Sequence, residues 1–234
     1  DFYQVMNKHD QIKAFVKDEL AIFGGPLYMP ETDQETDMER ISVSPDIKTI
    51  SEFNSAIKGC MNCPLGSTRT NFVFGAGNPN ADIMFVGEAP GEKEDLEGLP
   101  FVGRSGKLLT DILKAIDLTR EDVYIANILK CRPPDNRDPN KAEIEECEPY
   151  LLKQIELIKP KLLVALGRIS ATTLLRSKDS LTSMRGQVFD YHGTDLVVTY
   201  HPAALLRNPN WKRPAWEDFK KIREMYLEKR GAQA

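Results

Sequence analysis

The stretch ADIMFVGEAPGEKED, residues 81–95, sets the pattern from which the rest of the fold is inferred. Its apolar run at residues 83–86 ends at Gly87, which is typical of a short buried β-strand followed by a turn. A glycine turn after such a strand often binds a phosphate through exposed backbone N–H groups. This turn instead carries four carboxylates that would repel a phosphate, namely Glu88, Glu92, Glu94 and Asp95. The stretch therefore predicts a buried strand that leads into a site for something other than a phosphate.

Three more apolar runs of this kind follow along the chain, at residues 123–128, 162–166 and 196–200. Helical segments separate them, for example SGKLLTDILKAI at residues 105–116, whose apolar residues share one face. Strands that alternate with helices imply a parallel sheet covered on both faces, and its ligands bind beyond the carboxyl ends of the strands. We therefore expect an α/β fold with its chemistry in the loops at residues 87–103, 127–140, 167–170 and 201–213.

The first 50 residues differ from this pattern. Residues 10–24 have apolar positions at nearly helical spacing, and residues 29–46 are polar and acidic with little capacity to form a core. We therefore divide the chain into an N-terminal helical segment with an acidic linker, residues 1–50, and an α/β domain, residues 51–234. A helix with Ser51 as its N-cap is expected to open the domain.

The composition of the 234 residues is that of an ordinary globular protein, with 41% hydrophobic residues and a net charge of −4. No run approaches the roughly 18 apolar residues of a membrane span, and no signal-peptide pattern opens the chain, so we expect no membrane partner. Residues 201–234 nevertheless carry 8 Lys and Arg against 4 Asp and Glu. This basic end fits a footprint for phosphates, although a solvated basic helix accounts for the charge equally well.

The four cysteines are spaced C-x2-C-x67-C-x15-C, at Cys60, Cys63, Cys131 and Cys147. Cys147 precedes a segment in which Pro149 suits a first helical turn, so we expect this thiol at a helix N-terminus, where the dipole stabilises a thiolate. Structural disulfides are not expected without a secretory signal. Independent buried thiols, a zinc site and a [4Fe–4S] cluster all remain open, because spacing alone does not choose among them.

Polar and aromatic residues also gather where predicted strands end. Phe101 stands between glycines in GLPFVGRSG, Asn127 ends the second strand, and His201 follows the last strand in TYHPAALLRNP. Each taken alone has a structural explanation in packing or capping. Together, at the ends of successive parallel strands, they predict a pocket for a planar, neutral, hydrogen-bonding ligand.

From about residue 51 to residue 231 the chain resembles the family 4 uracil-DNA glycosylases, the iron–sulfur branch of the uracil-DNA glycosylase superfamily. The resemblance rests on the cysteine spacing and on five motifs: GEAPGEKED, GLPFVGRSGKLL, ANILKCRPPDNRDP, LVALG and HPAALLRNPNWKRPAWEDFK. It implies a three-layer α/β/α sandwich around a four-stranded parallel sheet. It also implies that the four cysteines hold a structural [4Fe–4S] cluster.

The implied activity is that of a monofunctional hydrolase in base excision repair. Such an enzyme flips uracil out of single- or double-stranded DNA, hydrolyses its N-glycosidic bond and leaves an abasic site. The resemblance further implies a monomer in a prokaryotic cytoplasm, associated with the nucleoid. The alternatives from other classes are a non-catalytic DNA- or partner-binding module on the same fold and a zinc-stabilised domain.

The resemblance also implies a role for each matching residue of the pocket. Phe101 would stack on uracil, Asn127 would pair with its N3–H and O4, and His201 would stabilise the departing uracil anion at O2. Glu88 would position the attacking water or stabilise the cationic sugar. Ala89 stands where some relatives have a water-activating aspartate, so no strong general base is expected.

The remaining implied contacts concern thymine exclusion and DNA. Gly87 and Ala89 would line the uracil pocket. Gly91 stands where better-known relatives have an aromatic residue that excludes thymine, and Glu94 would fill that space. Leu205 and Leu206 would wedge into the vacated base stack. Basic residues of the same motif would meet the DNA backbone, namely Arg207, Lys212 and Arg213.

Overall fold

A six-stranded sheet between two layers of helices forms the centre of the part of the chain that the structure describes. The structure is a computed structural model, and it describes residues 46–231. The helix and acidic linker expected within residues 1–50 lie outside the described residues, apart from residues 46–50. The strands are β1 (Ala76–Gly77), β2 (Ile83–Gly87), β3 (Tyr124–Asn127), β4 (Leu162–Leu166), β5 (Val188–Tyr191) and β6 (Thr194–Thr199).

The strand order is β1-β3-β2-β4-β6-β5. The four inner strands are parallel, which confirms the predicted parallel sheet and its four strands. The antiparallel edge strands β1 and β5 were not foreseen. Strand β1 has two residues and leaves almost no pattern, whereas β5 pairs with β6 through a hairpin at His192 and Gly193, both with positive φ.

The helices connect the strands in the expected alternation. They are α1 (Ile50–Ile57), α2 (Leu65–Thr68), α3 (Glu92–Glu97), α4 (Arg104–Ala115), α5 (Lys141–Ile158), α6 (Arg168–Leu175), α7 (Leu181–Met184), α8 (Pro202–Arg207) and α9 (Lys212–Gly231), with short 3₁₀ turns at Pro134–Asn136 and Pro209–Trp211. No helix among the described residues is long and apolar enough to cross a membrane.

Each inner strand contributes side chains to two separate cores. Along β2, Met84 and Val86 pack with helices α1, α5 and α6, whereas Ile83 and Phe85 pack with α4 and α9. This alternation follows from the two-residue period of a strand, and both faces are apolar because helices cover both. The arrangement is the three-layer α/β/α sandwich expected from the sequence.

Helix α1 has its N-cap two residues earlier than predicted. Thr49, rather than Ser51, is its N-cap: the Thr49 hydroxyl accepts from the Glu52 N–H at 3.2 Å, and the Glu52 carboxylate accepts from the Thr49 N–H at 3.2 Å. This reciprocal capping box satisfies two backbone donors at once, which a Ser51 cap would not achieve with Glu52 at the next position.

Candidate active site

A cleft of about 610 Å³ opens where the four parallel strands end. Its lining takes one residue from beyond or at the end of each strand: Glu88 after β2, Asn127 in β3, Gly167 after β4 and His201 after β6. The structure thus brings together residues that are up to 113 positions apart, at the sheet edge where a ligand site was predicted. Its volume suits a small ligand.

Phe101, Asn127 and His201 form what we call the floor of the cleft. Gly87, expected in the uracil pocket, is not among the residues that line the cleft and lies against Phe101 and Asn127 instead. A Cβ atom at Gly87 would lie 2.6 Å from the Phe101 ring and closer still to the Asn127 amide oxygen. Only glycine therefore lets the Phe101 ring and the Asn127 amide approach the end of β2. The Phe101 ring also lies 5.4 Å from the His201 ring, centroid to centroid.

The Phe101 loop is held in an unusual backbone conformation. Phe101 has φ 53°, a left-handed value that is uncommon for a bulky residue, and its side chain is buried. The Glu94 carboxylate accepts from the N–H groups of Val102 and Gly103 at 2.9 and 2.8 Å. The Arg120 guanidinium donates to the Phe101 carbonyl at 3.1 Å. These bonds hold the ring of Phe101 in place from both sides of the loop.

The Asn127 side chain carries an unmet hydrogen-bond acceptor. Asn127 is 2% exposed, and its Oδ1 is buried without a partner among the described residues. The backbone is fixed from below, because the fully buried Lys130 donates from Nζ to the Asn127 carbonyl at 2.8 Å and to Gln154 Oε1 at 2.6 Å. An unsatisfied buried acceptor costs about 1–3 kcal/mol, so a ligand that donates to Oδ1 is favoured there.

His201 is fixed in one tautomer by the helix that follows it. As the N-cap of α8, it accepts the Ala203 N–H on Nδ1 at 3.1 Å, so the proton of the neutral ring lies on Nε2. Burial first, and then the nearby Arg207, lower the pKa of His201 to about 4 against the opposing effect of Glu94. At neutral pH the site therefore contains an uncharged imidazole with one N–H donor.

Gly167 makes the position of this ring possible. Its φ is 91°, and a Cβ there would lie 2.9 Å from the His201 Cβ. Glycine is required at this turn because both the backbone conformation and the close approach exclude a side chain.

Glu88 lies in the wall of the cleft. Burial raises the pKa of its carboxyl group and the nearby Asp138 raises it further, whereas Arg168 and Arg207 lower it. Arg168 also donates to Asp138 at 3.1 Å, which joins the loop after β3 to the start of α6 across this wall. Ala89 and Glu94 line the cleft as well.

Five exposed residues of the segment that follows His201 make up what we call the rim, namely Leu206, Arg207, Trp211, Lys212 and Arg213. Arg207 and Trp211 line the cleft, and the other three are their exposed neighbours in sequence. Leu205 does not belong to it. Its side chain is 2% exposed and packs with Tyr200 and Ala215, which corrects the expectation that it enters a base stack. Leu206, at 38% exposed, is the leucine of the pair that faces solvent.

Trp211 is a lining residue that sequence reasoning missed. Its indole is 39% exposed and stacks on the Tyr200 ring at 4.9 Å with an interplanar angle of 14°. The sequence could have indicated this residue, because a large aromatic side chain beside two basic residues, in a segment without acidic ones, is typical of a nucleic-acid contact.

The four cysteines gather on the other side of the loop that follows β3. None of the four forms a disulfide; Cys60, Cys131 and Cys147 are buried in one core cluster, and Cys63 packs against it. Donors to their sulfurs include the Tyr150 hydroxyl to Cys60 at 3.1 Å, Arg69 to Cys131 at 3.4 Å and the Lys130 N–H to Cys147 at 3.3 Å.

Cys147 lies inside α5 rather than at a helix N-terminus, and Pro149 lies inside the same helix. The helix begins earlier, where Asn140 caps it and Glu143 completes a capping box. The expected dipole stabilisation of the Cys147 thiolate is therefore wrong. Burial instead raises the pKa of Cys147 to about 12 and that of Cys131 to about 11, so binding of a metal to these thiols releases protons.

This protein belongs to the uracil DNA glycosylase superfamily, because residues 74–220 match the family model of that description. Its relatives include proteins named type-4 uracil-DNA glycosylase. The one from Sulfurisphaera tokodaii is 50% identical over 76% of this chain and 86% of its own. Those from Archaeoglobus fulgidus and Saccharolobus solfataricus are 44% and 48% identical, over 76% and 72% of this chain and 94% and 82% of theirs. The family resemblance inferred from the motifs is thereby confirmed.

Proposed function

We propose that this protein is a DNA repair enzyme, a uracil-DNA glycosylase that extrudes uracil from DNA and hydrolyses its N-glycosidic bond. The observation that carries the proposal is the unpartnered, buried Oδ1 of Asn127 in a cleft whose other floor groups are an aromatic ring and a neutral imidazole. A flat, neutral base with an N–H edge satisfies all three. This also explains the acidic loop, since the centre of the site receives a neutral base and phosphates stay at the rim.

Recognition of uracil is assigned to Asn127 and Phe101. The Asn127 Oδ1 accepts the uracil N3–H, whereas cytosine presents an acceptor at N3 and would leave two acceptors facing each other. A site built for such a hydrogen bond can discriminate by a factor on the order of 10⁴. The Phe101 ring stacks on the extruded base, a contact worth about 1–3 kcal/mol.

Exclusion of thymine is assigned to Glu94. A Cβ atom at Gly91 would lie 2.9 Å from Glu94 Oε2, so the glutamate side chain occupies the space beside the glycine. Its other oxygen is committed to the Phe101 loop, and this anchoring limits how far the side chain can yield to a methyl group.

Bond cleavage is assigned mainly to stabilisation of the leaving group. As the N1–C1′ bond breaks, negative charge develops on uracil and positive charge on the sugar. The Nε2–H of His201 donates to uracil O2 and stabilises the anion, a contribution of about 3–4 kcal/mol for one such donor. Glu88 orients the attacking water or stabilises the sugar cation. The described lining contains no lysine, in keeping with a hydrolysis that leaves an intact abasic site.

Contacts to DNA are assigned to the rim. Leu206 enters the base stack at the vacated position, where an apolar wedge offsets part of the cost of extrusion. Arg207, Lys212 and Arg213 contact the phosphates and position the strand. The enzyme acts as a monomer on single- or double-stranded DNA, and extrusion is easiest where uracil is mispaired.

Cys60, Cys63, Cys131 and Cys147 are assigned to a structural [4Fe–4S] cluster. Thiolates are the ligands of such clusters, and the donors from Tyr150 and Arg69 suit the negative charge on ligand sulfurs. Four thiolates suit a single zinc ion as well as a cluster, so the choice of a cluster rests on the resemblance to the iron–sulfur branch of the superfamily. When bound, the cluster joins the segment around Cys60 to α5.

The activity is tested by release of uracil from a labelled oligonucleotide in single-stranded, U:G and U:A forms. Release from at least one of them, with thymine- and cytosine-containing controls intact, is the expected result. Binding of DNA without release from any form, by protein that contains its metal, would support the non-catalytic binding module instead.

The metal is tested on the same protein by its absorption spectrum and by iron, sulfide and zinc analysis. A brown protein with broad visible absorbance and about four irons per chain is expected. A colourless protein with one zinc would overturn the cluster and leave the glycosylase proposal standing.

A further inference from the structure

Trp211 is an exposed aromatic side chain to which the proposed chemistry assigns no task. It lines the cleft together with Arg207 and His201, yet it lies outside the floor on which uracil would rest. One of its faces is covered by the Tyr200 ring at 4.9 Å, and 39% of its surface is exposed. An indole that is supported on one side and open on the other is suited to receive a flat group.

The support beneath this indole is rigid. The Arg185 guanidinium lies 4.1 Å from the centroid of the Tyr200 ring and donates to its hydroxyl at 3.1 Å. Arg185 is itself held by a bidentate ion pair with Asp218 at 2.8 and 3.0 Å. Asp218 also accepts from the Thr199 hydroxyl at 2.6 Å, which ties the network to the end of β6. A ring held in this way loses little freedom when a ligand stacks on it.

The surroundings of Trp211 favour a nucleic acid strand over an uncharged partner. Residues 201–213 contain Arg207, Lys212 and Arg213 but no Asp or Glu, and all three basic side chains are exposed. An aromatic platform beside exposed cations is the arrangement by which proteins bind single strands, with bases on the ring and phosphates on the cations.

We propose that Trp211 stacks on the base next to the extruded uracil, on the same strand. The inference rests on the proposed function, because extrusion of uracil removes one stacking partner from each neighbouring base. The exposed indole at the mouth of the cleft replaces that partner. Since every base has a flat face, the contact does not depend on the neighbouring sequence.

The chain offers a direct spectroscopic test because Trp211 and Trp216 are its only tryptophans. Trp216→Phe leaves Trp211 as the sole indole, and Trp211→Phe leaves Trp216, which is exposed to nearly the same extent, 38%. The probe is a single-stranded oligonucleotide with 2′-fluoro-2′-deoxyuridine, whose fluorine disfavours the cationic sugar and blocks cleavage. Stacking predicts that DNA quenches the emission of Trp211 and leaves that of Trp216 nearly unchanged. Equal quenching of both, or quenching of neither, would overturn the inference.

A kinetic cycle tests the partner base. On ordinary uracil DNA, Trp211→Ala should raise the half-saturating protein concentration in single-turnover release by roughly 5- to 100-fold, and Trp211→Tyr should restore most of the loss. Two further oligonucleotides lack the base 5′ of uracil or the base 3′ of it. On the one that lacks the base stacked by Trp211, the half-saturating concentrations of the parent and of Trp211→Ala should agree within about twofold.

The outcomes separate the inference from the function on which it rests. An equal loss for Trp211→Ala on all three oligonucleotides would show a role without base stacking and overturn the inference alone. Failure of the parent protein to release uracil from any DNA would overturn the proposed function, and the inference with it. Thermal unfolding of Trp211→Ala and Trp211→Tyr controls for damage to the Tyr200 support.

Discussion

The floor and the rim of the cleft differ in how firmly their side chains are held. Each functional group of the floor is held by a hydrogen bond with a residue nearby in the chain: Glu94 fixes the Phe101 loop, Lys130 fixes the Asn127 backbone, and the Ala203 N–H fixes the tautomer of His201. The rim side chains are long and exposed. Changes in the floor should therefore alter the rate of bond cleavage, whereas changes in the rim should alter DNA binding and its dependence on salt.

The largest effect is expected at His201. His201→Ala removes the donor to the uracil anion and should lower the single-turnover rate by about 10²–10³-fold, while Glu88→Ala should cost less. The two variants are compared at saturating protein on the same oligonucleotide. Equal or reversed losses would show that water positioning, and not stabilisation of the leaving group, dominates catalysis.

The next effect separates the two adjacent leucines. Leu205→Ala opens a cavity beside Tyr200 and Ala215 and should lower the free energy of unfolding by about 2–4 kcal/mol. Leu206→Ala should leave it within about 0.5 kcal/mol and should weaken uracil release from duplex DNA. Denaturant titration and release assays measure both. Unchanged stability of Leu205→Ala would contradict the buried position of this side chain and restore the expectation that it enters the base stack.

A smaller effect, on the pH dependence of the free energy of unfolding, is expected from the titration of His201. Its pKa is about 4 in the folded protein and near 6.5 when unfolded, so the unfolded chain binds more protons between these values. Stability should therefore fall as pH drops from about 6.5 towards 4, and this part of the fall should be absent in His201→Gln. Parallel stability curves for the two proteins across this window would show that His201 is not buried as a neutral ring.

The smallest effect is expected at Lys212 and Arg213. Replacement of either by Ala should weaken DNA binding a few-fold, equally for all sequences, and should reduce the slope of log affinity against log salt by about 1. The cleavage rate at saturating protein should not change. Lys220→Ala, on the same helix α9 but outside the rim, is the matched control. If the slope for a variant equals that of the parent protein, the replaced residue does not contact a DNA phosphate.

Much of the fold was predictable because its signals are local. The four inner strands are short apolar runs, and their alternation with helices sufficed to predict a parallel sheet. The N-cap of α1 was misplaced at Ser51 and strand β1 was missed. In both places the sequence pattern that would predict the feature covers only one or two residues. The position of Cys147 inside α5 was missed because a proline is typical of a first helical turn, so Pro149 was taken to mark the start of the helix. The helix in fact begins after its N-cap Asn140.

The sequence by itself determined the family, the sheet and the residues that meet in the cleft, because motifs and apolar runs are properties of neighbouring residues. Only the tertiary structure decided how those residues act. It assigned the ring proton of His201 to Nε2, left Asn127 Oδ1 without a partner, buried Leu205 and exposed Trp211 on Tyr200. The tautomer of His201 depends on a local hydrogen bond that forms only once Ala203 is in a helix, and the exposure of a side chain depends on the residues that the fold packs against it.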